Sequence, residues 1–166
     1  NAVQAVREGK EESSWSNPNE AYEAALQRFV AAVLDASRPN AFLAQFHAFI
    51  APLLRPSAIS SLAQTAIKLT APGVPDIYQG CELWDFSLVD PDNRRLPDWR
   101  QRQALLPIVA QAEPASLAAD WCDGREKLFL TTRLLRLRRE RPALFAEGDY
   151  TPLYAEGGRS DEHLCG

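Results

Sequence analysis

The residues of this chain best equipped for chemistry lie between Gly73 and Trp99, in the run GVPDIYQGCELWDFSLVDPDNRRLPDW. Carboxylates, an amide, two adjacent guanidinium groups and aromatic rings are gathered there around a short strand-like core. Asp90, Asp92 and Asn93 offer acceptors for vicinal hydroxyls, and Arg94 or Arg95 can donate two parallel hydrogen bonds. Trp84 can set a flat apolar face against a sugar ring. Such a mixture suits a surface that grips sugar hydroxyls better than it suits a core. Plainer roles compete. Asp85, Asp90 and Asp92 also have the chemistry of turn formers, and Arg94 and Arg95 could pair with them as a clamp that fixes the loop. Tyr78 and Trp99 read as packing residues.

Other chemistries find little support. Cys81, Cys122 and Cys165 are odd in number, far apart and without metal-ligand spacing, which argues against a disulfide framework or a zinc site, and no cofactor is expected. Their pattern fits a reduced, cytoplasmic setting. Neither His47 nor His163 has a partner at ligand spacing, and His47 sits among Phe42, Phe46, Phe49 and Ile50 as a helix-packing residue. The net charge of -4 argues against nucleic acid as a partner. No apolar run approaches a membrane span, and no signal peptide is visible. The basic run 133–141 alternates with Leu134, Leu135 and Leu137, as the solvated face of an amphipathic helix does. The oligomeric state is not legible.

Around the chemical segment the pattern is mostly helical. Residues 17–37 predict a helix capped by Asn17, with Pro18 at its first position and Glu20 completing a capping box. Its apolar face runs through Tyr22, Leu26, Phe29, Val30 and Val33. Asn40 predicts the cap of a second helix, and Pro56 with Ser57 opens a third that reaches Leu69. Val74 to Gln79 predicts a short buried strand ended by Gly80, and residues 81–97 a long functional loop. Asp98 caps a helix to about Ala112, kinked or ended early by Pro107. After a break at Glu113-Pro114 and a helical turn over 116–121, Asp123 and Glu126 form a capping box for another helix, stopped by Pro142. Residues 149–154 and 163–164 predict a strand and the start of a second. The lone strand at Val74 to Gln79 has no neighbour in this chain to pair with. The chain contains no Met, and we expect it to be a fragment of a larger protein.

The same segment resembles the end of the catalytic barrel in the α-amylase superfamily (glycoside hydrolase family 13). That superfamily carries a Gly-x-Pro-x-Ile-Tyr-Tyr-Gly-x-Glu run, matched here by Gly73, Pro75, Ile77, Tyr78, Gly80 and Glu82. Gln79 replaces the second tyrosine. With Leu83-Trp84-Asp85 and the run Asp90-Pro91-Asp92-Asn93-Arg94-Arg95, this variant is similar to the trehalose-forming branch. Ser14-Trp15, the run from Asn17 to Glu23, the run from Asp123 to Leu128, Arg141-Pro142 and Gly148-Asp149-Tyr150 extend the resemblance to nearly the whole chain.

The resemblance implies an α/β fold class: the C-terminal part of a (β/α)8 TIM barrel with a helical insertion, leading into the start of a C-terminal β domain, and mostly helical as an isolated fragment. Residues 1–70 would be a helical segment of the catalytic region. Residues 71–146 would hold the last barrel strand, an active-site loop and closing helices, and 147–166 the start of the β domain. In such barrels the site lies at the C-terminal ends of the strands. That places Gln79 and Glu82 beside Trp84, Asp90, Asp92, Asn93, Arg94 and Arg95 as substrate-binding candidates.

The implied activity is that of an isomerase in trehalose biosynthesis, an intramolecular transglucosylase. It breaks the reducing-end α-1,4 bond of a maltooligosaccharide and rejoins the glucose as an α,α-1,1 bond. Retaining chemistry needs two carboxyl groups about 5 Å apart. The resemblance puts them, with a supporting Asp, before Asn1, so no catalytic residue is assigned to this chain. Two other functions stay open: a fragment of an α-glucan hydrolase of the same superfamily, and a helical module that binds glucan or protein without catalysis.

Overall fold

The computed structural model describes residues 2–87, 92–154 and 157. Its elements are α1 (Ala2–Gly9), α2 (Glu20–Val33), α3 (Ala41–Thr70), a 3-10 turn (Asp92–Arg94), α4 (Trp99–Gln111), α5 (Pro114–Ala119), a second 3-10 turn (Trp121–Asp123), α6 (Arg125–Glu140) and α7 (Pro142–Glu147). Helix α6 is the organising element: it packs along α3, while α4, α5 and α7 pack against it. Helix α1 packs on α2. Among the described residues no strand forms, and no helix is long and apolar enough to cross a membrane.

Three helix starts differ from the sequence reading. Helix α2 begins at Glu20, and its cap is Asn19, whose side chain accepts from Tyr22 N at 3.1 Å. Asn17 instead donates its backbone N–H to Ser14 Oγ. The expected second and third helices are one continuous helix, α3, with Pro52 and Pro56 inside it. The carbonyl that Pro56 leaves without an i+4 donor is that of Pro52, so the two prolines concentrate their backbone losses on one stretch of helix. Arg55, between them, ties that stretch to α6 by a paired hydrogen bond to Glu126 (2.7 and 3.2 Å). With Glu126 so occupied, the expected capping box at α6 does not form. Gly124, at φ +80, precedes the helix, and Asp123 Oδ1 accepts from Arg125 N instead.

The other cap and stop readings hold, while the strand readings among the described residues do not. Asn40 caps α3 through Leu43 N, Asp98 caps α4 through Gln101 N, and Pro142 separates α6 from α7. Helix α4 continues through Pro107 to Gln111. The strand expected over Val74 to Gln79 is absent, as the lack of a partner edge dictates. Val74 is 98% exposed. Residues 149–154 form no strand, and the second expected strand at 163–164 lies outside the described residues.

The buried cluster that anchors the chemical segment is small: Leu83, Val109 and Leu128, flanked by Leu105 and Phe129. One loop residue, one α4 residue and one α6 residue thus meet, so the segment after Gly80 is pinned between those two helices. The segment before it is held by Arg138. Its guanidinium donates to the Leu69 and Ala71 carbonyls at 3.0 Å and to that of Gly73, tying the last turn of α3 to the chain that leaves it. Arg138 is therefore not part of a simple solvated face.

Candidate functional site

The fold gathers the two ends of the 79–102 segment around an open cleft of about 450 Å³. Its floor and walls include Gln79, Gly80, Trp84, Asp85, Phe86, Ser87, Asn93, Arg95, Leu96, Pro97, Asp98 and Arg102. Gly80 turns the chain into it at φ +90, where a Cβ would sit 3.3 Å from Pro97 Cγ. Glycine is the residue that tolerates both the conformation and the contact.

Four of the eight candidates line this cleft: Gln79, Trp84, Asn93 and Arg95. Trp84 is fixed by three contacts with two neighbours. Its Nε1 donates to Trp121 O at 2.6 Å, its ring lies edge-on to Trp121, and it stacks with Phe86 at 6.3 Å between centroids. The indole is therefore presented rigidly, with part of its flat surface shared with Phe86. Asn93 is the least satisfied group here: its Oδ1 is buried and accepts no hydrogen bond. A buried carbonyl oxygen without a donor costs free energy, and a ligand hydroxyl would relieve that cost once a shift of the loop uncovers the oxygen.

Arg95 serves first as a clamp. It donates to Ser87 Oγ at 2.8 Å and to Asp92 O at 3.2 Å, and lies 3.4 Å from Asp92 Oδ1. Asp85 accepts from Ser87 N at 2.9 Å, and hydrogen bonding from the Ser87 hydroxyl holds its carboxyl below the usual range. The turn-forming role foreseen for Asp85 is thus realised. Arg94 is exposed in the 3-10 turn, outside the cleft lining, and Asp92 opens that turn. Asp90 lies outside the described residues.

Glu82 does not line the cleft. Its Oε2 accepts from Arg102 Nε at 2.7 Å, an ion pair with side chains 24% and 13% exposed. Arg102 also donates to Gly80 O at 2.7 Å and to Asp98 O at 3.1 Å, and lies over the Trp99 ring. A single guanidinium thus ties together both chain segments that flank the cleft, and it reaches the cleft itself. Sequence reading missed it because it stands outside the motif, on the helix that follows. One signal was available: Arg102 lies one turn past the Asp98 cap, and helical side chains lean back toward the N-terminus.

The base of this arrangement is α6. At Gly124 a Cβ would meet Trp84 N at 2.9 Å and Leu83 Cβ at 3.2 Å, so the absence of a side chain lets the loop backbone lie on the start of that helix. Trp15, a further match in the resemblance, sits away from the cleft in the α1–α2 unit. Arg7 lies over its ring and forms a paired hydrogen bond with Glu23, both at 2.7 Å. Glu23 also accepts from Ser13 Oγ. Arg7 first, and Ser13 second, bring the Glu23 carboxyl down to about 2.

No family model matches the chain. Two curated relatives, each a putative maltooligosyl trehalose synthase from a strain of Mycobacterium tuberculosis, are 38% identical to it over 160 residues. The match takes in 96% of this chain and 19% of each relative, so the chain spans about one fifth of their length. A solved maltooligosyl trehalose synthase is 34% identical with a TM-score of 0.76, over 93% of this chain and 21% of that one. The maltooligosyltrehalose synthase of Arthrobacter ramosus is also 34% identical, with a TM-score of 0.74, over 96% of this chain and 20% of that one.

Proposed function

We infer that this chain is a segment of a maltooligosyl trehalose synthase, and that it supplies one wall of the glucan-binding cleft. The observation that carries the reading is the agreement of sequence and fold over nearly the whole chain, at 38% identity and TM-scores of 0.74 to 0.76. In this reading the extended run after α3 is the last strand of a (β/α)8 barrel, and α4 to α7 close the barrel behind it. The lack of a strand partner at Val74, and its exposure, fit that place.

The parent enzyme would isomerise the reducing end of a maltooligosaccharide, breaking an α-1,4 bond and forming an α,α-1,1 bond with the same glucose. The carboxylates for that chemistry are not assigned to this chain. Its own residues bind and enclose. Trp84 offers the exposed part of its indole to a sugar ring. Asn93 Oδ1 accepts from a sugar hydroxyl, which satisfies the buried oxygen. Gln79 can donate and accept at the same wall, and Arg102 retains N–H groups beyond the three used on protein acceptors. Asp90, Asp92 and Arg94 belong to the same loop and complete the proposed binding set, with Arg95 holding the loop's shape. Glu82 acts through Arg102. Enclosure matters because a released glucose must recombine before water attacks the intermediate.

The test is a product assay on the intact protein with maltopentaose. The reading expects loss of reducing ends without a matching release of glucose, and a product whose anomeric carbons are both linked. Shorter reducing maltooligosaccharides as sole products would assign the parent to hydrolysis instead.

A further inference from the structure

Away from the cleft, α3, α6 and the 77–81 segment form a second, much smaller cavity of about 20 Å³, lined by Thr65, Lys68, Leu69, Ile77, Cys81, Lys127 and Thr131. That volume holds one small solvent molecule or a monoatomic ion, and no more. Lys127 is 7% exposed, and among the described residues its ammonium group forms neither a hydrogen bond nor an ion pair. Thr131 Oγ1 is buried without a hydrogen-bond partner. Thr65 uses its own hydroxyl proton on Ser61 O.

The polar side chains at this cavity are rich in donors. Two lysines, two threonines and a cysteine line it, and no carboxylate-bearing residue does. Of the acids near enough to act on Lys127, Cys81 lines the cavity itself, while Asp85 and Glu82 are already engaged by Ser87 and Arg102. Burial pushes Lys127 below the usual lysine range, and Lys68 adds to that push. Most of Lys127 is withdrawn from water beside a second lysine, and the buried Thr131 hydroxyl has no partner, so a small anion would offset both costs.

We propose that this cavity binds a single halide-sized anion, held by the Lys127 and Lys68 ammonium groups and by the Thr131 hydroxyl. The anion would bond α6 to the end of α3 behind the cleft, at the residue preceding Glu82. Its role is structural, independent of the glucan reading above.

The test uses the intact protein and bromide as the probe. Crystals equilibrated in sodium bromide are expected to show an anomalous peak in this cavity, within about 3.5 Å of Lys127 Nζ and Thr131 Oγ1. In solution, the melting temperature at constant ionic strength should rise as chloride replaces gluconate, which is too large for the cavity. In Lys127→Met the apparent chloride affinity should fall about tenfold or more. A peak without anomalous signal would identify water. A carboxylate from elsewhere in the protein, or the Cys81 thiolate, seated against Lys127 would supply the charge without an ion. Any of these three results overturns the proposal, and the wild-type crystal decides it even where the variant fails to fold.

Discussion

Arg102 offers the sharpest perturbation of the cleft. Replacing it with Met keeps the aliphatic stem and removes three hydrogen bonds at once, to Glu82 and to the Gly80 and Asp98 carbonyls. A hydrogen bond to a charged group contributes about 1.5–3 kcal/mol, and a carboxylate left without its partner adds a desolvation cost. Partial exposure of both side chains, 13% and 24%, screens the pair and favours the lower end of that range. Summed with two carbonyl contacts, the local loss is about 2–4 kcal/mol. Amide hydrogen exchange in the intact protein reads it directly: peptides covering 79–87 should exchange about 30- to 700-fold faster in Arg102→Met. Lys in place of Arg keeps the charge but can satisfy these acceptors only in part, so Arg102→Lys should recover less than half of the protection. Adding Glu82→Gln to Arg102→Met should cost little more, because the shared interaction is already gone. Unchanged exchange at 79–87 in Arg102→Met would refute the clamp, and with it the claim that α4 shapes the cleft.

Gly124→Ala should destabilise the protein by about 2–3 kcal/mol, from the left-handed backbone and the close approach of Trp84 N, and should shift tryptophan emission. A neutral or stabilising outcome by denaturant melt would contradict the contact. Glu23 has its carboxyl held near 2 against an ordinary 4.5, so it contributes stability above pH 4.5 that is lost as pH falls toward 2. Glu23→Gln should flatten that part of the stability profile, read by acid titration of the α1–α2 unit, while leaving the cleft unaffected. The 166-residue chain expressed alone should melt broadly and bind a hydrophobic dye, since Phe29, Phe49 and Ile67 are each 66–70% exposed. A sharp two-state melt would show that these faces need no cover.

Local signals in the sequence carried much of the architecture. The caps at Asn40 and Asp98, the stop at Pro142 and the break at Glu113 all follow from side-chain chemistry within a few residues. What sequence reading got wrong depended on distant partners. Glu126 has the spacing of a capping box, yet Arg55, far along the chain, claims it. Pro56 has the character of a helix start, yet α3 runs through it. Val74 to Gln79 has strand composition, but a strand is a property of a pair of chains, and none of the described residues pairs with it. The candidate site divides in the same way. Trp84, Asn93 and Arg95 were legible from residue type and do line the cleft. Glu82 was placed there by its position after the strand, but its carboxylate turns to Arg102. Arg102 itself carries no motif, and only the packing of α4 reveals it.

The central claim is that the wall formed by Gln79, Trp84, Asn93 and Arg102 holds the glucan. A crystal structure of the intact protein with a bound maltooligosaccharide tests it most directly. The account predicts a glucose ring against Trp84, with one hydroxyl within hydrogen-bond distance of Asn93 Oδ1. Sugar bound elsewhere, with Trp84 and Asn93 untouched, would contradict it.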